Sequence, residues 1–351
     1  YLTIKFVGIL ASLNFAGYLS GSIFSIFVKD INFKVYLYRF GIFLAISTTF
    51  ILAYSDNNTL WMIGRVLAGF AGAMCLIVGT SIVMQKLTIK SKTKAMGIHF
   101  SGIGFSILTT DLLARFVLSL NYTWRDSWAV LAVFAIILSL YSVYILSFDK
   151  EVKQNAVKVK FDISIFTPFV IVLIIAYFTE GVGFVVQATF LPDIINNLKG
   201  LEGYGSLTWT LVGVAGIPSC IIWMLLAHRF GSSNIIIIAL LLQAVGILIP
   251  AFSSNIYLNL LSGVLYGGTF IGLVALFMNL GGQLSRGNPV VLMGAMTSSY
   301  GIGQVIAPLY SVYFIEKYGN YEYALYLTAF IVLGGAVLLL LAKKFEPKDI
   351  E

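Results

Sequence analysis

Apolar residues run in long blocks separated by short polar breaks. Eleven such blocks follow one another, near 7–28, 33–54, 59–85, 95–118, 122–147, 164–191, 207–228, 234–252, 256–284, 290–315 and 321–342. About 20 residues of α-helix, at a rise of about 1.5 Å each, cross the hydrocarbon core of a bilayer, so each block predicts one membrane-spanning helix. The runs Ile235 to Leu242 and Val337 to Leu341 are continuously apolar. A membrane β-barrel would instead show segments of roughly ten residues with alternating polarity. Inside hydrocarbon every backbone amide must be satisfied within the structure, which leaves helices.

Composition agrees with this pattern. Of 351 residues, 59% are hydrophobic and 11% are charged, with a mean hydropathy of +0.94. A soluble core of that size cannot absorb so much apolar surface. The net charge of +7 could suggest a nucleic-acid partner, but the basic residues fall in alternate breaks. Lys29, Lys34 and Arg39, then Lys86, Lys90, Lys92 and Lys94, then Lys150, Lys153, Lys158 and Lys160, then Arg229, Arg286, Lys343, Lys344 and Lys348 put sixteen on one side. Lys5, Arg115, Arg125, Lys199 and Lys317 put five on the other, and Arg65 lies within a span. The richer side is expected to be cytoplasmic. The surplus charge is therefore read as topology, and no nucleic-acid partner is expected. Cys75 and Cys220 both fall in spans, which leaves no disulfide framework or metal cluster and suggests small packing residues. The first block lacks a basic n-region and a cleavage-like flank, so no signal peptide is expected.

Sliding the chain against itself brings several spans into register at one offset of 199 residues. Phe15-Ala16-Gly17 falls on Val214-Ala215-Gly216, Gly69 on Gly268, Gly102-Ile103-Gly104 on Gly301-Ile302-Gly303, and Asn121-Tyr122 on Asn320-Tyr321. Matches in four pairs of spans at a single offset indicate two halves built from one unit. The partner of the span at 164–191 would lie before Tyr1, so a complete protein is expected to have six helices plus six, with the first absent from this chain and both termini cytoplasmic.

Two six-helix halves joined by a charged loop at 148–162 resemble the major facilitator superfamily, and the resemblance covers the whole chain. That family's Leu-x-x-x-x-Arg-x-x-x-Gly element is seen here as Leu60, Arg65 and Gly69, followed by Gly72 and Ala73. Its loop between helices two and three usually reads Gly-x-x-x-Asp-x-x-Gly-Arg-Arg; here Phe27 to Lys34 carries Asp30 and basic residues but no glycine. The Gly-Pro pair of the antiporter motif is absent from Ser101 to Thr110. At finer grain, Glu180-Gly181-Val182-Gly183, Thr189-Phe190-Leu191-Pro192, Gly267-Gly268-Thr269-Phe270 and Tyr300-Gly301-Ile302-Gly303-Gln304 are similar to the YbfB/YjiJ-like permeases.

The resemblance implies an all-α membrane protein of the major facilitator fold. It has an N-terminal bundle over 1–147, a cytoplasmic linker at 148–162, a C-terminal bundle over 163–345 and a tail at 346–351. It implies a monomer in a bacterial inner membrane, in contact with lipids, that moves a small organic solute by alternating access and is no enzyme. With no ATP-binding motif present, protons are the expected driving force and no cofactor is required. A lipid or amphipath flippase of the same fold, or a non-transporting membrane sensor or partner protein, remains open as an alternative.

Three ionisable side chains lie well inside spans, where charge is costly: Arg65, Asp111 and Glu180. Gln187 follows Glu180 by two turns on the same face, which could line a central cavity. A carboxyl there could take up and release a proton as the cavity alternates between wet and closed. The plainer reading is a carboxyl locked in a helix-to-helix hydrogen bond. Asp111 continues a stripe through Gly97, Ser101, Gly104 and Leu108 and is the second coupling candidate. Arg65 shares a face with Gly69 and Gly72. It either pairs with Asp111 at matching depth or reaches the surface beside Trp61. His99 reads as a packing residue rather than a relay. The glycine clusters follow no strand, which rules out nucleotide loops and leaves close helix packing. All seven prolines lie after residue 160, with Pro218 and Pro308 interrupting spans. Asn14, Tyr266, Thr269, Asn279, Tyr300 and Gln304 are the remaining candidates for contact with substrate.

Overall fold

The computed structural model describes residues 3–28, 30–83, 96–148, 163–284 and 289–347. Eleven long helices are found among them: α1 (Ile4–Ile26), α2 (Ile31–Tyr54), α3 (Asn58–Val83), α4 (Met96–Ser119), α5 (Trp124–Phe148), α6 (Pro168–Asn196), α7 (Tyr204–Phe230), α8 (Ser232–Phe252), α9 (Ile256–Leu284), α10 (Pro289–Tyr318) and α11 (Glu322–Ala342). Ten are long and apolar enough to cross a membrane. The linker at 149–162, the loop at 84–95, and Lys29, Arg286 and Lys348 lie outside the described residues.

Local chemistry sets the helix ends. Asp30 caps α2 by accepting from the Phe33 amide at 2.8 Å. Asn57 caps α3 through the Thr59 and Leu60 amides. Thr167 caps α6 just ahead of Pro168, whose missing N–H falls where no helical acceptor exists. Lys34, Arg39 and Arg115, counted with the loops from sequence, lie inside α2 and α4. A long basic side chain can sit in a terminal turn and still extend to a polar partner, as Lys34 does to Ser81 Oγ at 2.8 Å. Within α3 the segment Met74–Val78 is π-helical.

The chain divides into two compact units. One comprises Leu13–Met96 and Thr110–Val159. There α2 packs on α3 and α5, around a core of Val28, Ile31, Leu37, Ala73, Met74, Val78 and Ile82. α1 crosses α3 at backbone contact: a methyl on Gly17 would lie 2.0 Å from the Val66 carbonyl oxygen, and one on Gly69 would lie 1.8 Å from that of Asn14.

The other unit comprises Tyr1–Ser12, Gly97–Thr109 and Lys160–Glu351. In it α9 packs on α7 and α8, and α6 packs on α10 and α11. The small-residue face of α4 meets α7. A methyl on Gly104 would sit 2.4 Å from the Gly216 carbonyl carbon, and one on Gly213 would sit 2.7 Å from the Leu108 amide. The crossing of α7 and α9, where a methyl on Gly267 would lie 2.2 Å from the Val212 carbonyl oxygen, occupies nearly the positions that the 199-residue offset assigns to the α1 and α3 crossing. The internal repeat is thus visible as geometry.

Candidate functional site

α6 is among the most enclosed of the helices, and the reason lies in its small residues. Gly181 admits the Tyr300 carbonyl of α10, Gly183 admits Val332 of α11 and Gln243 of α8, and Gly335 of α11 receives Thr179. Glu180 sits among these contacts and is 0% exposed. Among the described residues it is the only charged side chain buried to that degree. Gln243 is its polar neighbour, lying over Gly183. The two face each other without closing a hydrogen bond of ordinary geometry, and both Glu180 oxygens lack a partner. Tyr266 of α9 is close enough to feel the Glu180 charge, and its hydroxyl donates to the Phe184 carbonyl at 3.1 Å.

Two turns further along α6, Gln187 is also fully buried, and its Nε2 approaches the Gly246 carbonyl and Ser262 Oγ at 3.4 Å each. Ser262 Oγ donates to that same carbonyl at 2.7 Å. Pro250 explains why the carbonyl is available. Proline has no N–H, so Gly246, four residues back in α8, loses its helical donor and can accept from other helices. The Oε1 of Gln187, the Oε1 and Nε2 of Gln243, and the Oδ1 of Asn259 have no partner. A buried polar atom left unpaired costs about 1–3 kcal/mol, so this interior carries more polarity than packing alone requires.

The structure therefore brings Glu180, Gln187 and Tyr266 together at a seam of α6, α8 and α9. Thr269, one turn beyond Tyr266, bonds to its own helix at the carbonyls of Leu265 and Tyr266. Asn279 lies farther along α9 and is half-buried. Tyr300 of α10 stacks on Tyr177 at 4.7 Å between ring centres. Gln304 is buried with its Oε1 unpartnered. Asn14, Arg65 and Asp111 belong to the other unit. Asn14 lies at the crossing with Gly69.

One expectation is corrected here: Asp111 pairs with Arg115 at 2.7 Å rather than with Arg65. The two are one helical turn apart, so the bond needs no second helix. Arg65 instead lies 5.5 Å over the ring of Trp128 on α5. Nearby, Trp61 meets Trp124 edge-on, Arg125 lies over Trp124 and also pairs with Asp56. At the far end of α6, Tyr321 donates to Asp193. Burial, together with that carboxylate, pushes the Tyr321 phenol above its ordinary range.

Gln243, Asn259 and Ser262 are absent from the candidates read from sequence. The signal for Gln243 was available. It is an amide in the otherwise apolar run from Ile235 to Ile249 and lies seven residues before Pro250. Pro192 and Pro250 also prove to lie inside helices, alongside Pro218 and Pro308.

A multi-pass helical membrane protein with small-residue crossings repeated at a fixed offset, and a carboxyl fully enclosed mid-helix, has the form of a membrane transporter. The chain belongs to the major facilitator superfamily. A family model described as "Uncharacterised MFS-type transporter YbfB" matches residues 1–340, nearly the whole of the 351.

Proposed function

We propose that this transporter is a secondary, proton-coupled carrier that moves a small organic solute across a bacterial inner membrane by alternating access, with Glu180 as the coupling carboxyl. The observation that carries the proposal is the state of Glu180. It is fully buried in a membrane helix with Gln243 as its polar neighbour, and neither oxygen closes a hydrogen bond of ordinary geometry. A carboxyl locked for structural reasons would be paired. One without a fixed partner is free to exchange a proton as its surroundings change. Asp111, bound to Arg115, is the weaker candidate for this role.

The test is flux in proteoliposomes under an imposed pH gradient, across a broad library of small metabolites. Glu180→Gln keeps the shape and removes the titration, so it should abolish proton-driven accumulation while leaving solute exchange largely intact. A library in which nothing moves would defeat the transport reading, and accumulation that survives Glu180→Gln would place coupling elsewhere. The charge asymmetry supports a cytoplasmic loop at 148–162. Cysteine labelling of that loop from outside intact cells would overturn the orientation.

A further inference from the structure

The polar groups around Glu180 continue beyond it as three matched stripes. On α6 they are Glu180, Gly183 and Gln187; on α8, Gln243, Gly246 and Pro250; on α9, Asn259, Ser262 and Tyr266. Each recurs at spacings of three and four, the signature of one helical face. The faces meet through Gln243 at Gly183, Gln187 and Ser262 at the Gly246 carbonyl, and Tyr266 at the Phe184 carbonyl. The far end of the seam is the Ser253–Asn255 turn between α8 and α9. There Asn259 Nδ2 donates to the carbonyls of Ser253 and Asn255 at 2.7 and 2.9 Å, and Ser254 and Asn255 are exposed. Glu180 and Gln187 are separated by about 10 Å of helix rise.

Along this line six polar atoms of side chains that are 0–1% exposed have no partner: both oxygens of Glu180, Oε1 of Gln187, both amide atoms of Gln243, and Oδ1 of Asn259. Buried polar atoms in native proteins are met by protein groups or internal water, and one water typically serves about three of them. Five of the six are acceptors and only Gln243 Nε2 is a donor, so they cannot satisfy one another, and water molecules that donate to the acceptors suit the seam.

We propose that the seam of α6, α8 and α9 holds a short file of buried water and conducts protons between the Ser253–Asn255 turn and the Glu180 carboxyl, inside one unit. The inference rests on the reading of Glu180 as the coupling carboxyl. In each delivery the water beside Glu180 breaks one O–H bond as its proton joins a carboxylate oxygen. The hydroxide left behind takes a proton from the next water, and so on to the turn, with no electron transferred. Among the described residues, the titratable side chains that face this stretch of α6 are the phenols of Tyr266 on α9 and Tyr300 on α10. α8 and α11 present Gln243 and Val332.

The experiment needs no solute, because the proton is the probe. The full chain in liposomes is moved from H2O to D2O, and the carboxyl stretch of Glu180, identified by its loss in Glu180→Gln, is followed by infrared difference spectroscopy. Asn259→Leu and Ser262→Val should each slow its exchange about tenfold or more, each factor of ten corresponding to about 1.4 kcal/mol of barrier. Ser311→Ala, a buried hydroxyl on α10, should leave it unchanged. As a second measurement, Ser262→Cys, in a chain with Cys75 and Cys220 replaced by Ala, should react with a small water-borne thiol reagent. Exchange at the unaltered rate in both seam variants, or an unreactive Cys at 262, overturns the route while leaving Glu180 as the coupling group. If no Glu180 band responds between about pH 5 and pH 9, the coupling reading itself fails, and the route fails with it.

Discussion

The crossing of α1 on α3 and that of α7 on α9 are built from one pattern of small residues but are fastened differently. In the first, the backbones touch at Gly17 and Gly69, and the Ser20 hydroxyl turns back to the Gly17 carbonyl of its own helix at 2.7 Å. In the second, Ser219, which lies 199 residues after Ser20, reaches across instead. Its hydroxyl donates to the Gly268 carbonyl at 2.8 Å and accepts from the Gly272 amide, while the Trp223 indole donates to the same carbonyl at 2.5 Å. Close packing of small residues is therefore enough to form such a crossing, and hydrogen bonds are an addition that pins its register. The difference extends to charge. The unit containing α1 and α3 keeps Arg65, Asp111 and Arg125 in aromatic or ionic contacts, whereas the other holds a carboxyl with no hydrogen-bond partner.

The largest expected effect tests what the two crossings share. Gly69→Leu and Gly267→Leu each drive a side chain into a facing backbone and should each eliminate monodisperse protein on size-exclusion chromatography. A normal yield from either would show that its crossing is not backbone-tight. The fastening itself is tested by Ser219→Ala combined with Trp223→Phe. Hydrogen bonds between membrane helices contribute about 0.6–1.7 kcal/mol each, so unfolding in detergent should show a loss of about 1–3 kcal/mol. Ser20→Ala, at the matching place, should change stability by no more than about 0.5 kcal/mol; an equal loss would erase the distinction. A smaller effect than the double substitution is expected from Arg65→Lys, which keeps the charge and loses the flat face against Trp128. About 0.5–1 kcal/mol is at stake there in the same unfolding assay.

The helices were legible in the sequence because membrane thickness imposes their length, and the observed bounds fall within about five residues of the apolar blocks. The repeat was legible where glycine meets a facing backbone in both halves, as at Gly104 and Gly303, although Gly102 and Gly268, which match at the same offset, have open space at a Cβ. The enclosure of Glu180 could be anticipated from its depth, but its surroundings could not. Which face of α6 meets α8 depends on the fit of Gly183 against Gln243, which lies 60 residues away in sequence. The partner of Asp111 was within reach, since Arg115 lies four residues on, but its assignment to a loop hid the pairing. The role of the Gly246 carbonyl follows from Pro250 only once Ser262 is known to face it.

The π-helical stretch in α3 has a consequence of phase. Where one extra residue is absorbed into a helix, everything downstream is rotated by about 100° relative to uninterrupted α-helical counting. Arg65 and Gly69 lie upstream of Met74–Val78, and Ser81 and Ile82 lie downstream, so the two groups cannot be placed on one helical wheel. The segment at the matching place in α9, Leu273–Phe277, stays α-helical. α3 and α9 therefore share a frame only up to that point. Removing one residue between Met74 and Val78 would restore the common phase in α3, but it would also swing Ser81 away from Lys34 and turn Ile82 out of the core it shares with Val28 and Ile31.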